Sequence, residues 1–197
     1  TIEAAMKRGS KMEAKGYTYS YDMLGEAART EKDASRYHLA YSKAISAISN
    51  AATHGDIRKN PGISVKLSAL HPRYDELQAD TALNTLVPRL TALCGLAKSA
   101  GIGLNIDAEE ADRLSLSLDV IEQTLSQPAL KGWDGFGVVV QAYGQRAGAV
   151  IDWLHGLAER LNRKIMVRLV KGAYWDSEIK KAQVMGLDAF PVFTSKA

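Results

Sequence analysis

Lys66 interrupts an otherwise apolar run, Ile63-Ser64-Val65-Lys66-Leu67-Ser68-Ala69-Leu70. A lysine pointing inward from such a run must meet a carboxylate or a ligand, because an unpaired buried charge is costly. Asp107, at the end of Gly101-Ile102-Gly103-Leu104-Asn105-Ile106-Asp107, is the candidate partner. The pair either carries chemistry or only ties neighbouring strands together. Arg168 and Lys171 set two more cations at the end of Lys164-Ile165-Met166-Val167-Arg168-Leu169-Val170, followed by Gly172-Ala173-Tyr174-Trp175-Asp176. Two cations suit a phosphate or an electron-rich ring, and small residues let a ligand approach the backbone. The competing reading there is a solvated charge pair at a strand end. The sequence has no GxGxxG, no Walker loop and no spaced Cys/His cluster, so no metal site is expected and a dinucleotide needs another binding scheme.

The elements that must position these groups follow from local pattern. Residues 1–16 read as a charged helix, and Tyr17 to Leu24, aromatic and β-branched, as the first strand. A helix marked by Glu26, Ala27 and Ala28 and by the Ala-rich run Ala34 to Ala51 comes next. The turn formers of His54 to Gly62 precede a second strand at Ile63 to Leu70. An amphipathic helix over Asp75 to Ser99 leads to a third strand at Gly101 to Asp107. Glu109, Glu110 and Asp112 open a further helix, where acidic side chains favour the helix dipole. Gly135 to Gln141 and Lys164 to Val170 are strands four and five, separated by a helix over Gln145 to Leu161, and a sixth strand begins at Pro191-Val192-Phe193-Thr194.

Near-continuous Val/Ile/Leu strands alternating with helices mean a parallel sheet covered on both faces, either doubly wound or closed into a barrel. The barrel is preferred because polar residues close strand after strand: Asp22, Lys66, Asp107, Gln141, and Arg168 with Lys171. Barrel strands bring such ends to one mouth, whereas an open sheet spreads them along an edge. The expected fold is therefore α/β, a (βα)8 barrel truncated after about six strands with an N-terminal helical segment: one partial domain over residues 1–197, with the barrel over 17–197. An open barrel exposes strand edges, so the native polypeptide is expected to continue beyond Ala197.

The composition, 46% hydrophobic and 24% charged, fits a globular chain. The polar start is no secretory signal, no apolar run approaches membrane-spanning length, and a cytoplasmic location is expected. Cys94, the single cysteine, reads as a buried small hydrophobe, and His38, His71 and the series Tyr17, Tyr19 and Tyr21 are assigned to packing. The 25 basic and 22 acidic residues are interspersed and form no patch of the kind that binds nucleic acid.

Four segments, Ser20 to Glu26, Ser64 to Tyr74, Asn105 to Glu110 and Val167 to Asp176, resemble in order the proline dehydrogenase domain of proline utilization A, a bifunctional, bacterial, FAD-dependent family. The resemblance covers nearly the whole chain. It implies oxidation of L-proline to Δ1-pyrroline-5-carboxylate, with electrons passed from FAD to a membrane quinone. It implies that Arg168, Val170, Lys171, Gly172, Ala173 and Trp175 lie along the flavin, that Gln141 contacts its ring system, and that Asp107 and Ala108 sit beside it. Thr194 and Lys196 would reach its phosphates or ribose. Lys66, Asp22, Leu169 and Tyr174 would face the substrate, with Lys66 near the proline carboxylate, and Lys66, Asp107, Arg168 and Tyr174 would carry catalysis. In the family an arginine pair beyond this segment clamps the same carboxylate. The resemblance further implies a homo-oligomer, peripheral association with the inner face of the cell membrane, and DNA binding only through a separate N-terminal domain.

Two rival functions compete with it. One is a Schiff-base aldolase using Lys66 or Lys171 as a nucleophile of lowered pKa. The other is a non-catalytic nucleic-acid-binding segment, prompted only by a sequence pI of about 8.9.

Overall fold

A computed structural model describes residues 1–23 and 25–195. Its strands are β1 (Ser20–Asp22), β2 (Gly62–Val65), β3 (Leu104–Ile106), β4 (Phe136–Gln141) and β5 (Met166–Val170), all parallel and hydrogen-bonded in the order β1-β2-β3-β4-β5. A doubly wound sheet reverses its order at a switch point. Here every crossover steps one place in the same direction, and right-handed crossovers then keep the helices on one face, as in the wall of a barrel.

The helices are α1 (Ile2–Glu13), α2 (Glu31–Ser49), α3 (Ala79–Ser99), α4 (Leu114–Leu125), α5 (Ala147–Arg160) and α6 (Trp175–Met185). The start of α2 is fixed by a capping box, in which the Thr30 hydroxyl accepts from the Asp33 amide and the Asp33 carboxylate accepts from the Thr30 amide. Alternate strand residues Tyr21, Ile63, Val65, Leu104, Ile106, Phe136, Val138 and Val140 face the helices and form the core with Ile45, Ile48, Leu86, Leu90, Leu93 and buried Cys94. The residues between them, Ser20, Ser64, Asn105 and Arg168, take the opposite, inner face, as the period of two requires. The Ser20 and Ser64 hydroxyls lie 3.0 Å apart and the Asn105 amide donates to Ser20 at 3.2 Å. A Cβ on Gly137 would fall 1.9 Å from the Asn105 oxygen, so only glycine leaves room for that layer.

The structure corrects several boundaries. Pro191 to Thr194 is no sixth parallel strand: Val192 makes only an isolated antiparallel bridge to Gly144, because this segment folds back over the turn after β4. The second strand ends at Val65, and Leu67–Ala69 is a 3-10 turn, so Lys66 stands at the strand's exit. Glu26 to Ala28 is not helical; Ala27 has φ 52°, and the amides of Ala27 and Ala28 bond to Ser68. Tyr17, 58% exposed, lies outside the strand, while Tyr21 is buried with its hydroxyl donating to Glu13. His71 is buried as expected, yet neither ring nitrogen has a hydrogen-bond partner among the described residues.

Candidate active site

A row of alternating charge crosses the inner face at the carboxyl ends of the strands. Asp22 ends β1, Lys66 follows β2, Asp107 follows β3, and Arg168 lies in β5. The Lys66 ammonium donates to both oxygens of Asp22 at 3.0 Å and to Oδ2 of Asp107 at 2.9 Å. The other oxygen of Asp107 accepts from the Arg168 guanidinium at 2.5 Å, and that guanidinium also donates to the Ser64 hydroxyl at 3.3 Å. Asp107 is therefore the hinge of the row, shared by two cations. Its side chain and that of Lys66 are 11% and 14% exposed, whereas Asp22 and Arg168 open to solvent at 53% and 42%.

Burial disfavours the charged form of Lys66, but the hydrogen bonds to Asp107 and Asp22 outweigh it and leave the pKa above the ordinary lysine value. That is the reverse of what a Schiff-base nucleophile needs. Lys66 is also held from behind, where its backbone amide donates to the buried Tyr41 hydroxyl of α2 at 3.2 Å. Tyr174 stands at the start of α6; burial, then the charges of Glu26, Glu109 and Glu110, push its phenol up to about 12, so it stays neutral near pH 7.

The strand ends converge here, as their polar residues promised, but the remaining predicted residues divide. Gln141 is spent on the backbone: its amide donates to the Glu109 carbonyl at 2.9 Å and accepts from the Ala173 amide at 3.0 Å. Lys171 and Ala173 are exposed, and Gly172, with φ 126°, packs against Tyr143. The Trp175 indole donates to the Phe193 carbonyl at 2.8 Å, and Thr194 is exposed beyond it. Ala108 lines a crevice together with Asp107 of the row, Gln141, Tyr74, Leu114 and Val150. Leu169 pairs with Val140 across β4 and β5, and its side chain is exposed. Lys196 lies outside the described residues. The polar row was legible as strand-end residues; Glu109, whose role depends on a backbone amide in another loop, was not.

The proline dehydrogenase family model matches residues 5–197. The chain belongs to the proline dehydrogenase family. Across its whole length it is 55% identical over 196 residues to the bifunctional protein PutA of Salmonella typhimurium, and spans 15% of that protein. It is 31% identical over 177 residues to proline dehydrogenase 1 of Bacillus subtilis, covering 90% of this chain and 51% of that one. Among solved structures, a proline utilization A (PutA) with proline bound in remote sites superposes with a TM-score of 0.91 at 56% identity, over 100% of this chain and 20% of that one. The chain thus spans a small part of the PutA relatives it matches.

Proposed function

We propose that the chain supplies the first part of an FAD-dependent proline dehydrogenase barrel, which oxidises L-proline to Δ1-pyrroline-5-carboxylate and passes the electrons to a membrane quinone. The observation that carries the reading is the row Asp22, Lys66, Asp107 and Arg168, found in a member of this family. Oligomerisation, and a cytoplasmic location with peripheral attachment to the membrane, go with this reading. No helix among the described residues is long and apolar enough to cross a bilayer.

The inner face fits a flavin. Arg168 is oriented by Asp107 and Ser64 yet 42% exposed, so a permanent cation faces the opening. Lys171, Gly172 and Ala173 directly follow β5, the strand that carries Arg168. When bound, the flavin supplies the hydride acceptor. Arg168 stabilises negative charge on a ring system beside it, with the guanidinium already oriented before reaction. Lys66 holds the proline carboxylate. Its permanent partner is Asp107, and the more exposed Asp22 is the one a substrate carboxylate displaces. Fixing that carboxylate sets the ring carbon beside the nitrogen toward the acceptor, which lowers the entropy cost of reaction. The substrate amine must be neutral, because its lone pair pushes as hydride leaves.

The test uses the full-length protein that carries these residues. A flavin absorption spectrum that bleaches on addition of proline, with Lys66→Met abolishing bleaching while flavin content is kept, supports the reading. A protein without flavin, or trapping of Lys66 by borohydride with a carbonyl substrate, overturns it.

A further inference from the structure

The short helical turns after the strands share an unusual construction. The turn Leu67–Ala69 begins at Lys66, which makes no side-chain cap, and the turn Ala111–Arg113 begins at Glu110, which makes none either. The first amides of a helical turn lack internal partners and need an acceptor from elsewhere. Here the acceptors come from segments that follow or end other strands. Glu109 accepts from the Ser68 amide at 3.0 Å, Glu178 of α6 accepts from the Ala111 amide at 2.6 Å, and Gln141 accepts from the Ala173 amide just before α6. Ser68 in turn accepts from the Ala27 amide at 3.0 Å, and the Glu109 carbonyl accepts from Gln141. One belt of side-chain-to-backbone bonds therefore links the segments after β1, β2, β3 and β5.

Glu109 is the centre of that belt. Ser68 stands two residues beyond Lys66, and Glu109 two residues beyond Asp107, so the Ser68–Glu109 bond is a second rung above the Lys66–Asp107 ion pair. The Glu109 side chain is only 5% exposed, with the Arg113 guanidinium 3.4 Å from its second oxygen. Because Glu109 caps the turn, the residue at the cap position need not, and Lys66 is free to point across the inner face.

We propose that Glu109 is a positioning residue for substrate binding: by capping the turn after β2 from the neighbouring loop, it fixes where the Lys66 ammonium stands. The inference rests on the proline reading given above. A shift of Lys66 weakens the hold on the substrate carboxylate and leaves the hydride acceptor untouched, so the effect falls on KM.

Full-length wild-type, Glu109→Gln, Glu109→Asp and Glu109→Ala proteins would be compared at equal flavin content. The amide of Gln keeps an acceptor for Ser68, whereas Asp keeps the charge and loses the reach. We expect KM for proline to rise about tenfold in the Asp and Ala variants with kcat and flavin reduction potential little changed, and Gln to stay within about threefold of wild type. Hydrogen exchange followed by mass spectrometry on a peptide spanning residues 66–70 should quicken in Asp and Ala and not in Gln. Unchanged exchange in Asp and Ala overturns the cap, and faster exchange with unchanged KM leaves it merely structural and overturns the positioning role. A Gln variant as impaired as Ala also overturns it. If Ala does not fold, Asp carries the comparison. A wild-type protein that does not oxidise proline sinks the functional reading alone, since the exchange experiment still judges the cap.

Discussion

Asp107→Ala removes the one carboxylate shared by Lys66 and Arg168. At an effective dielectric constant of about 20, unit charges about 4 Å apart attract by about 4 kcal/mol before desolvation is charged against them. Two facts reduce that figure here. Lys66 keeps Asp22, and Arg168 is 42% exposed, so water replaces part of what it loses. The 14% exposed Lys66 is not so compensated, and stripping one partner from a nearly buried charge is the costly case. A net loss of about 2–3 kcal/mol is expected, and if it falls on the arrangement that binds and orients substrate, kcat/KM drops about 30- to 150-fold. Asp112→Ala is the matched control, since it also deletes a carboxylate with a lysine partner, Lys181. Those side chains are 57% and 45% exposed, where an ion pair contributes about 0–1 kcal/mol. Asp107→Asn, which keeps an acceptor without the charge, should fall between. Steady-state proline oxidation and urea unfolding of the full-length variants check both quantities. Equal losses for Asp107→Ala and Asp112→Ala would refute the argument that the inner face concentrates the working charges.

Gly172→Ala should destabilise by about 2–4 kcal/mol, because φ is 126° and the new Cβ would sit 2.6 Å from the Tyr143 ring. Gly148→Ala, in α5 with nothing near the new methyl, should be neutral or stabilise by up to about 1 kcal/mol; urea midpoints compare the two. Burial lowers the His71 pKa, with Glu31 raising it, Arg89 lowering it and Asp75 raising it by smaller amounts, so the unfolded chain binds the proton more tightly. Stability from His71 is then complete above about pH 6.5 and is lost as pH falls below it, and urea midpoints of His71→Phe should show a shallower decline between pH 7.5 and 5.5. Arg168→Met should lower the flavin reduction potential and slow reduction by proline, read by spectroelectrochemical titration and stopped flow; unchanged values with only a lower melting temperature would assign Arg168 to structure.

How much of this was written legibly in the sequence depends on the range of the interaction. Strand existence was legible because Val138, Val139 and Val140, or Leu104 and Ile106, are apolar runs between turn formers, and β2 to β5 fall where such runs do, while β1 falls within the aromatic segment Tyr17 to Leu24. Their ends were overextended wherever apolar residues continue past the pairing. Leu67 to Leu70 looks like strand because it is buried, yet its backbone turns to bring Lys66 to the exit. The Pro191-Val192-Phe193-Thr194 run failed for a related reason: β-prone residues specify an extended chain, and only the rest of the fold specifies its neighbour, here the turn at Gly144.

The candidate site shows the same division. Asp22, Lys66, Asp107 and Arg168 announced themselves because a charge beside an apolar strand needs a partner, and the topology supplies one for each by bringing neighbouring strand ends together. Glu109, Gln141 and Glu178 gave no such signal. Glu109 read as the opening of a helix, where an acidic residue is ordinary, and Gln141 as a polar strand end free to face a ligand. Their partners are backbone amides and a carbonyl 32 to 67 residues away, and a backbone group looks the same in every sequence. Side-chain pairing thus leaves a trace of complementary charge, while a side chain that caps another loop leaves none until the strand order is known. In a sheet ordered β1 to β5 the segments after neighbouring strands lie side by side, so Glu109 after β3 reaches the Ser68 amide after β2 and Gln141 at the end of β4 reaches the Ala173 amide after β5, while Glu178 of α6 reaches past β4 to the Ala111 amide after β3.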